Sequence, residues 1–330
     1  MKKFLILTAI FLLTCFWPAH ARENFIKPYG KHDENIETWA FHSKIDIPGK
    51  EGALYVGMFF LSGSLYFLNG NFAHIFWLDT TSGDYNYENN IFLPPFEKVK
   101  HDTGGLKHKF HDSLIQYNKK HKAIEVDANF SKFCASLSLS PVAEKETIIF
   151  DRIFENYPEG RTFNWYMIPR ARVNADIDGK HDLTSTGIAH FQNFWGDEVC
   201  DSGDSVFVHL DSGYDLIING IYPPRKERPC MPGDYVMISG PDGNTEKTTD
   251  FDYVVHEWWD AKHTRKKYPV RITVTSKIRN LFLEVMVLKK DQTADLLGVE
   301  VWLGYADVTG TIDNKPQKGW AFVSPEGNAK

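Results

Sequence analysis

Residues 163–196 read FNWYMIPRARVNADIDGKHDLTSTGIAHFQNFWG. Two runs that alternate between apolar and polar side chains flank Asp178-Gly179, a pair suited to the positive φ of a tight hairpin turn. Successive side chains on a strand point to opposite faces, so Gly187, Ala189, Phe191 and Asn193 share one face of the second run. Ile188, His190, Gln192 and Phe194 share the other. The alternation alone does not say which face is interior. If His190 and Gln192 turn inward, an imidazole and an amide sit in an apolar lining, as in many small-molecule sites.

The same period-2 pattern fills the rest of the chain. It recurs in ALYVGMFFLSG (53–63), LNGNFAHIFWLD (68–79), KAIEVDANF (122–130) and SKFCASLSLS (131–140). Beyond the opening pair come DSVFVHLDSG (204–213), YDLIINGIYP (214–223), DFDYVVHEWWD (250–260), NLFLEVMVL (280–288) and GVEVWLGYADVTG (298–310). Helical periodicity is nearly absent, the most helix-like stretch being a turn or two near 111–120. So many strands need closure, because long open sheets expose unpaired edges. The expected class is all-β, with two tandem β-barrel or sandwich domains; a single large sandwich is the alternative. Proline, glycine and charge accumulate from 222 onward, so the division falls at 22–230 and 231–330, after a leader at 1–21.

That leader has Lys2 and Lys3, an apolar stretch FLILTAIFLL, and Ala19-His20-Ala21 as a small-x-small cleavage site. A secretory signal is expected, with a mature protein beginning near Arg22 in the periplasm or secreted. A membrane anchor is the weaker alternative, and no other run is long and apolar enough to span a bilayer. Losing Lys2 and Lys3 takes the formal charge from −6 to −8, which repels phosphate backbones, so no nucleic-acid partner is expected. An oxidising compartment permits a bridge, and Cys200–Cys230 is the candidate pair; Cys134 is expected to stay a reduced thiol.

Several stretches, taken in order, resemble the AttH/CrtC-like family, which includes carotenoid 1,2-hydratases. They are IETWAFHSKI (36–45), FAHIFWLD (72–79), the 163–196 pair, VHEWWDAKHTRKKYPVRITV (255–274), EVWLGYADVTG (300–310) and GWAFV (319–323). The resemblance runs from about residue 36 to 323 and implies two lipocalin-like β domains in tandem. It also implies action on, or binding of, apolar molecules such as isoprenoids. Three acidic positions of the family are lost here: Gln192 stands where relatives carry Asp, and Leu303 and Phe322 where they carry Glu. His190 and Asn193 stand in place of the family's Trp and His.

Hydrating an alkene needs a carboxyl that is still protonated at working pH. Amides cannot donate in that way, so His190 and, beside an aromatic cluster, Glu257 are the weak catalytic candidates. Asp250, Asp252 and Asp307 are carboxyls that could take the acid's place in an enzyme. Residues expected to contact a ligand are His74, Trp77, Tyr166, His190, Gln192, Trp195, Trp258 and Trp302, polar-edged rings and amides in apolar strands. His108 and His111 lie in a Lys-rich stretch that reads as solvated, and a strand would put them on opposite faces; no metal site is expected. No glycine-rich fingerprint opens a helix, so no cofactor is expected. The reading is an exported lipocalin-like protein that binds an apolar, isoprenoid or lipid-like small molecule. The alternative is a hydratase or cyclase-type enzyme on an isoprenoid.

Overall fold

The computed structural model describes residues 36–65, 68–92, 99–101, 106–142, 148–153, 162–178, 183–196, 204–220, 234–261, 266–296, 299–324 and 328–329. The expected leader and the Cys200–Cys230 pair lie outside the described residues. Cys134 is unpaired and half-buried, its thiol donating to the Phe130 carbonyl at 3.3 Å.

The fold is all-β. The first twelve strands are β1 (Ile36–Asp46), β2 (Ala53–Leu65), β3 (Leu68–Asp79), β4 (Asp84–Phe92), β5 (Val99–His101), β6 (Lys107–Phe110), β7 (Ser113–Asn118), β8 (Ala123–Asn129), β9 (Cys134–Pro141), β10 (Ile148–Ile153), β11 (Thr162–Asp178) and β12 (Leu183–Gly196). They form one sheet in the order β4-β3-β2-β1-β12-β11-β9-β8-β7-β6-β5, with β10 also pairing β11. The second set is β13 (Asp204–Leu210), β14 (Asp215–Gly220), β15 (Tyr235–Ser239), β16 (Thr245–Thr248), β17 (Phe251–Asp260), β18 (Lys266–Ser276), β19 (Leu281–Val287), β20 (Thr293–Leu296), β21 (Val299–Trp302), β22 (Gly304–Ile312), β23 (Lys315–Ser324) and β24 (Asn328–Ala329). These form a second sheet, β16-β15-β14-β13-β23-β22-β19-β18-β17, with β24 pairing β18 and β20-β21 a separate pair.

The two sheets share one plan: neighbours in sequence pair antiparallel, and the strand that opens each sheet meets one that closes it, β1 with β12 and β13 with β23. Each sheet curls as a half-barrel around its own core, giving two tandem lipocalin-like units. Trp39, Phe41, Phe110, Val126 and Phe191 belong to the first core; Val206, Ile272, Leu283 and Trp302 belong to the second.

Two expectations change. The chain passes from one sheet to the other between Gly196 and Asp204, so β13 and β14 lie in the second sheet although the 230/231 division put them in the first domain. The proline-rich stretch after 222 separates β14 from β15, which pair with each other, so its composition marks a connection within the second sheet. The helix-like stretch near 111–120 is the strand β7, with Ser113 and Ile115 buried and Gln116 half-buried in the period of a sheet.

Gly187 shows why the 185–196 strand carries glycine. A Cβ there would lie 2.0 Å from the carbonyl oxygen of Lys44, a backbone atom of the paired β1 that cannot step aside. Gly187→Ala is therefore expected to lower stability by about 2 kcal/mol, within the cost of overpacking a core. Urea unfolding of the two proteins side by side checks this, and an unchanged midpoint would contradict the close approach.

Candidate functional site

Alternation on β12 sends Ala189 and Phe191 into the first core and His190 and Gln192 to the opposite face. That second face meets the other sheet. The seam between them is a third apolar cluster, holding Tyr55, Phe76, Trp165 and Met167 from the first sheet and Phe207, Tyr305, Trp320 and Phe322 from the second.

Register places the polar groups within this seam. One rung of the first sheet runs Phe76, Gly57, His42, His190 across β3, β2, β1 and β12. Gly57 leaves room for its neighbour: a Cβ at that position would lie 2.2 Å from Cζ of Phe76, whose ring lies over the bare backbone. On β11 the register shifts between Ile168 and Ala171. Pro169, which has no N–H for the ladder, sits inside that bulge, and bulges re-aim neighbouring side chains. Arg170 is redirected across the seam. On the second sheet, one rung joins Tyr305, Phe322 and Phe207, and the next joins Asp307, Trp320, His209 and Asp215.

These rungs meet in a continuous polar chain. Arg170 Nε donates to Asp215 Oδ1 and Oδ2 at 2.9 and 3.1 Å, and its Nη2 donates to the Leu210 carbonyl at 2.8 Å. Asp215 Oδ1 lies 2.8 Å from His209 Nδ1, and His209 Nε2 lies 2.9 Å from His190 Nδ1. All four side chains are buried. Arg170 neutralises the Asp215 carboxylate, so a further proton on His209 would leave an uncompensated charge out of water. The carboxylate can only accept, so His209 carries its proton on Nδ1 and accepts at Nε2. His190 then donates from Nδ1, and its Nε2 keeps a lone pair.

Around that lone pair, polar atoms lack partners. Among the described residues, His190 Nε2, both ring nitrogens of His42, and the hydroxyls of Tyr85 and Tyr305 are buried without a hydrogen bond. His42 stacks on Phe322 with ring centroids 3.5 Å apart and lies 4.9 Å from the His190 ring. Tyr55 and Tyr305 are 5.0 Å apart. Burial holds both imidazoles well below their ordinary pKa; His209 adds to the effect on His42, and His42 and His209 add to it on His190. Burial also pushes the Tyr305 hydroxyl well up, with Tyr85 and Tyr55 reinforcing it. Each unpaired buried group costs about 1–3 kcal/mol, so this group of atoms in the seam is a cost to stability.

The expected ligand contacts divide among three places. His74, His190 and Gln192 are buried on the seam face. His74 stacks on Phe59 at 5.3 Å and bonds Asn89, whose amide reaches the Asp295 carbonyl of the second unit at 2.5 Å. Trp77 and Tyr166 lie in the first core, and Trp195 packs on its margin. Trp302 lies in the second core, stacked on Tyr268 at 5.4 Å, with its indole N–H on the Lys290 carbonyl at 2.7 Å. Trp258 is half-buried on β17, and Glu257 is exposed and paired with Lys290, away from the seam. His108 is fully buried against Trp39, with ring centroids 4.1 Å apart, instead of solvated. A buried carboxylate does exist: Glu37, fully enclosed in the first unit, accepts from the Asn193 amide at 3.3 Å.

Arg170, His42, His209 and Asp215 were not foreseen. One signal was available, since a hairpin turning at Asp211-Ser212-Gly213 sets His209 opposite Asp215.

No family model matches the chain, and no curated protein matches it. Solved structures do. A protein of Nitrosomonas europaea assigned as AttH superposes with a TM-score of 0.74 at 21% identity, over 92% of this chain and 97% of that one. The fold is the AttH fold. Kievitone hydratase of Nectria haematococca shares it at a TM-score of 0.66 and 12% identity, over 93% of this chain and 92% of its own. Leu303 and Phe322 belong to the seam cluster and Gln192 lies on the seam face, so the three positions where the resemblance implies an acid are all seam positions.

The seam histidines tie stability to pH. His42 and His190, and His74 with its pKa lowered to about 4, are neutral when folded and titrate near 6.5 when unfolded. Their contribution is complete above pH 6.5 and is lost as pH falls, because the unfolded chain takes up protons first. Each contributes a slope of about 1.4 kcal/mol per pH unit below 6.5, until its folded pKa is reached. Urea midpoints should fall between pH 7.5 and 5.5, and less steeply in His42→Phe. Parallel profiles for the two proteins would contradict the buried, neutral state of His42.

Proposed function

We propose that the protein binds an apolar small molecule, isoprenoid or lipid-like, at the seam between its two units. The observation that carries this is the group of unpaired polar atoms on His42, His190, Tyr85 and Tyr305 in an otherwise aromatic enclosure. Such a site takes a largely apolar molecule with a few polar fixtures, and each buried CH₂ contributes about 0.8 kcal/mol. The buried Asp215 carboxylate is committed to Arg170 and His209, and burial holds the His42 and His190 imidazoles well below their ordinary pKa, which favours holding a molecule over protonating one. The leader sequence supports export as part of the same reading; recovery from the periplasm of a chain starting at Arg22 tests it.

A second reading, a hydratase or cyclase-type enzyme, has one observation in its favour. Asp307 shares a strand face with Tyr305 and sits opposite Trp320; it is exposed, yet desolvation raises its carboxyl above the ordinary value, with Lys44 opposing. A fold neighbour is named a hydratase. Incorporation of ¹⁸O from labelled water into an isoprenoid, lost in Asp307→Asn, would bring this reading forward.

Organic extraction of the purified protein followed by mass spectrometry should release a lipid-like species. Farnesol or palmitate added to stripped protein should change the emission of Trp165 and Trp320. His42→Phe, which removes two unpaired nitrogens while keeping a ring on Phe322, should raise the melting temperature and weaken binding about tenfold, the trade expected of a functional group. An empty extract together with silent titrations would sink the binding reading.

A further inference from the structure

From the direction of the hydrogen bonds in the seam we infer that its ligand carries a hydroxyl, donated to His190 Nε2. This deepens the binding reading above and rests on it. The Arg170–Asp215–His209–His190 chain is polarised from one end. Arg170 holds Asp215 as an acceptor through both carboxylate oxygens, Asp215 draws the proton of His209 to Nδ1, and His209 draws that of His190 to Nδ1. The last atom of the chain, His190 Nε2, is fully buried and unpartnered. It can only accept.

Three side chains around it narrow the ligand further. The rings of His42 at 4.9 Å and Phe207 at 5.1 Å lie close to that of His190, so the group that reaches Nε2 lies among flat rings. Both nitrogens of His42 and the Tyr305 hydroxyl are also unpartnered, and the two rings are 6.4 Å apart. A hydroxyl oxygen that donates to His190 can accept in turn from His42 or Tyr305. A methyl ether can accept but leaves His190 Nε2 unpaired, and a site built for a hydroxyl rejects the analogue that lacks it. The ligand class is an apolar alcohol or phenol.

The tautomer is tested without ligand. In a two-bond ¹H–¹⁵N NMR spectrum of the free protein at pH 7.5, His190 should show a protonated Nδ1 and a pyridine-type Nε2; a protonated Nε2 would overturn the inference. Calorimetric titration at the same pH then compares farnesol with farnesyl methyl ether. Farnesol should bind about tenfold tighter, and the preference should vanish in His190→Leu. Equal binding of alcohol and ether to the unaltered protein overturns the hydroxyl assignment and leaves the binding reading intact. If neither binds, the binding reading falls and this inference with it. The free-protein spectrum and the alcohol–ether pair decide the matter even where His190→Leu does not fold.

Discussion

The pairing of Arg170 with Asp215 joins two sheets that otherwise meet through rings and a few hydrogen bonds. It places one charge of each sign in a dry layer, which is tolerable only because the geometry is close and His209 and two backbone carbonyls complete the remaining bonds. Removing Arg170 alone would strand a carboxylate, a loss of about 3–5 kcal/mol for a buried pair broken on one side. The pair depends on the bulge at Pro169, which turns Arg170 out of the strand ladder. It also sets the proton positions on two histidines. A backbone irregularity in one unit thereby fixes the chemistry of a side chain at the far end of the chain, on another strand.

Around this fixed point the seam departs from what stability alone would select. Aromatic pairs such as His42–Phe322 and His209–Trp320, with centroids 4.5 Å apart in the latter, supply close packing. A core selected only for packing would use Phe or Leu at position 42 and leave no ring nitrogen unpaired. Three positions where the resemblance implies acids instead carry an amide, Leu303 and Phe322, which makes the layer drier and less able to deliver a proton. The buried charge of Asp215 is paired with Arg170. What the seam offers is accepting and donating edges set in apolar walls.

Much of the fold was legible because period-2 alternation is a direct imprint of a sheet covered on at least one face. The faces of β12 were assigned correctly from alternation, but which face met the other unit was not, because Phe191 and Phe194 are equally apolar and a strand covered on both faces loses its polar side. The same ambiguity hid His42, whose neighbours Phe41 and Ser43 are both buried. Arg170 was hidden for a different reason: a basic residue between a proline and an alanine reads as a solvated break, and only the bulge sends it inward. The proline-rich run after 222 does not separate the sheets, because β13, β14 and β15 pair in sequence as successive antiparallel neighbours across it. The fate of Trp77, Tyr166 and Trp302 shows that a large ring in a strand is as ready to fill a core as to line a site.

The meeting of first and last strands in each sheet has a consequence for the order of assembly. His42 is near the start of the first unit and His190 near its end, and Tyr305, Trp320 and Phe322 belong to two of the last strands to be synthesised. Such long-range pairing is slow to form, because the intervening chain must be ordered before the ends can meet. The seam, like the second core, is thus completed late in biosynthesis. Until β22 and β23 emerge, the aromatic face of the first unit lacks Tyr305, Trp320 and Phe322 to cover it, a period in which an unfinished chain is sticky.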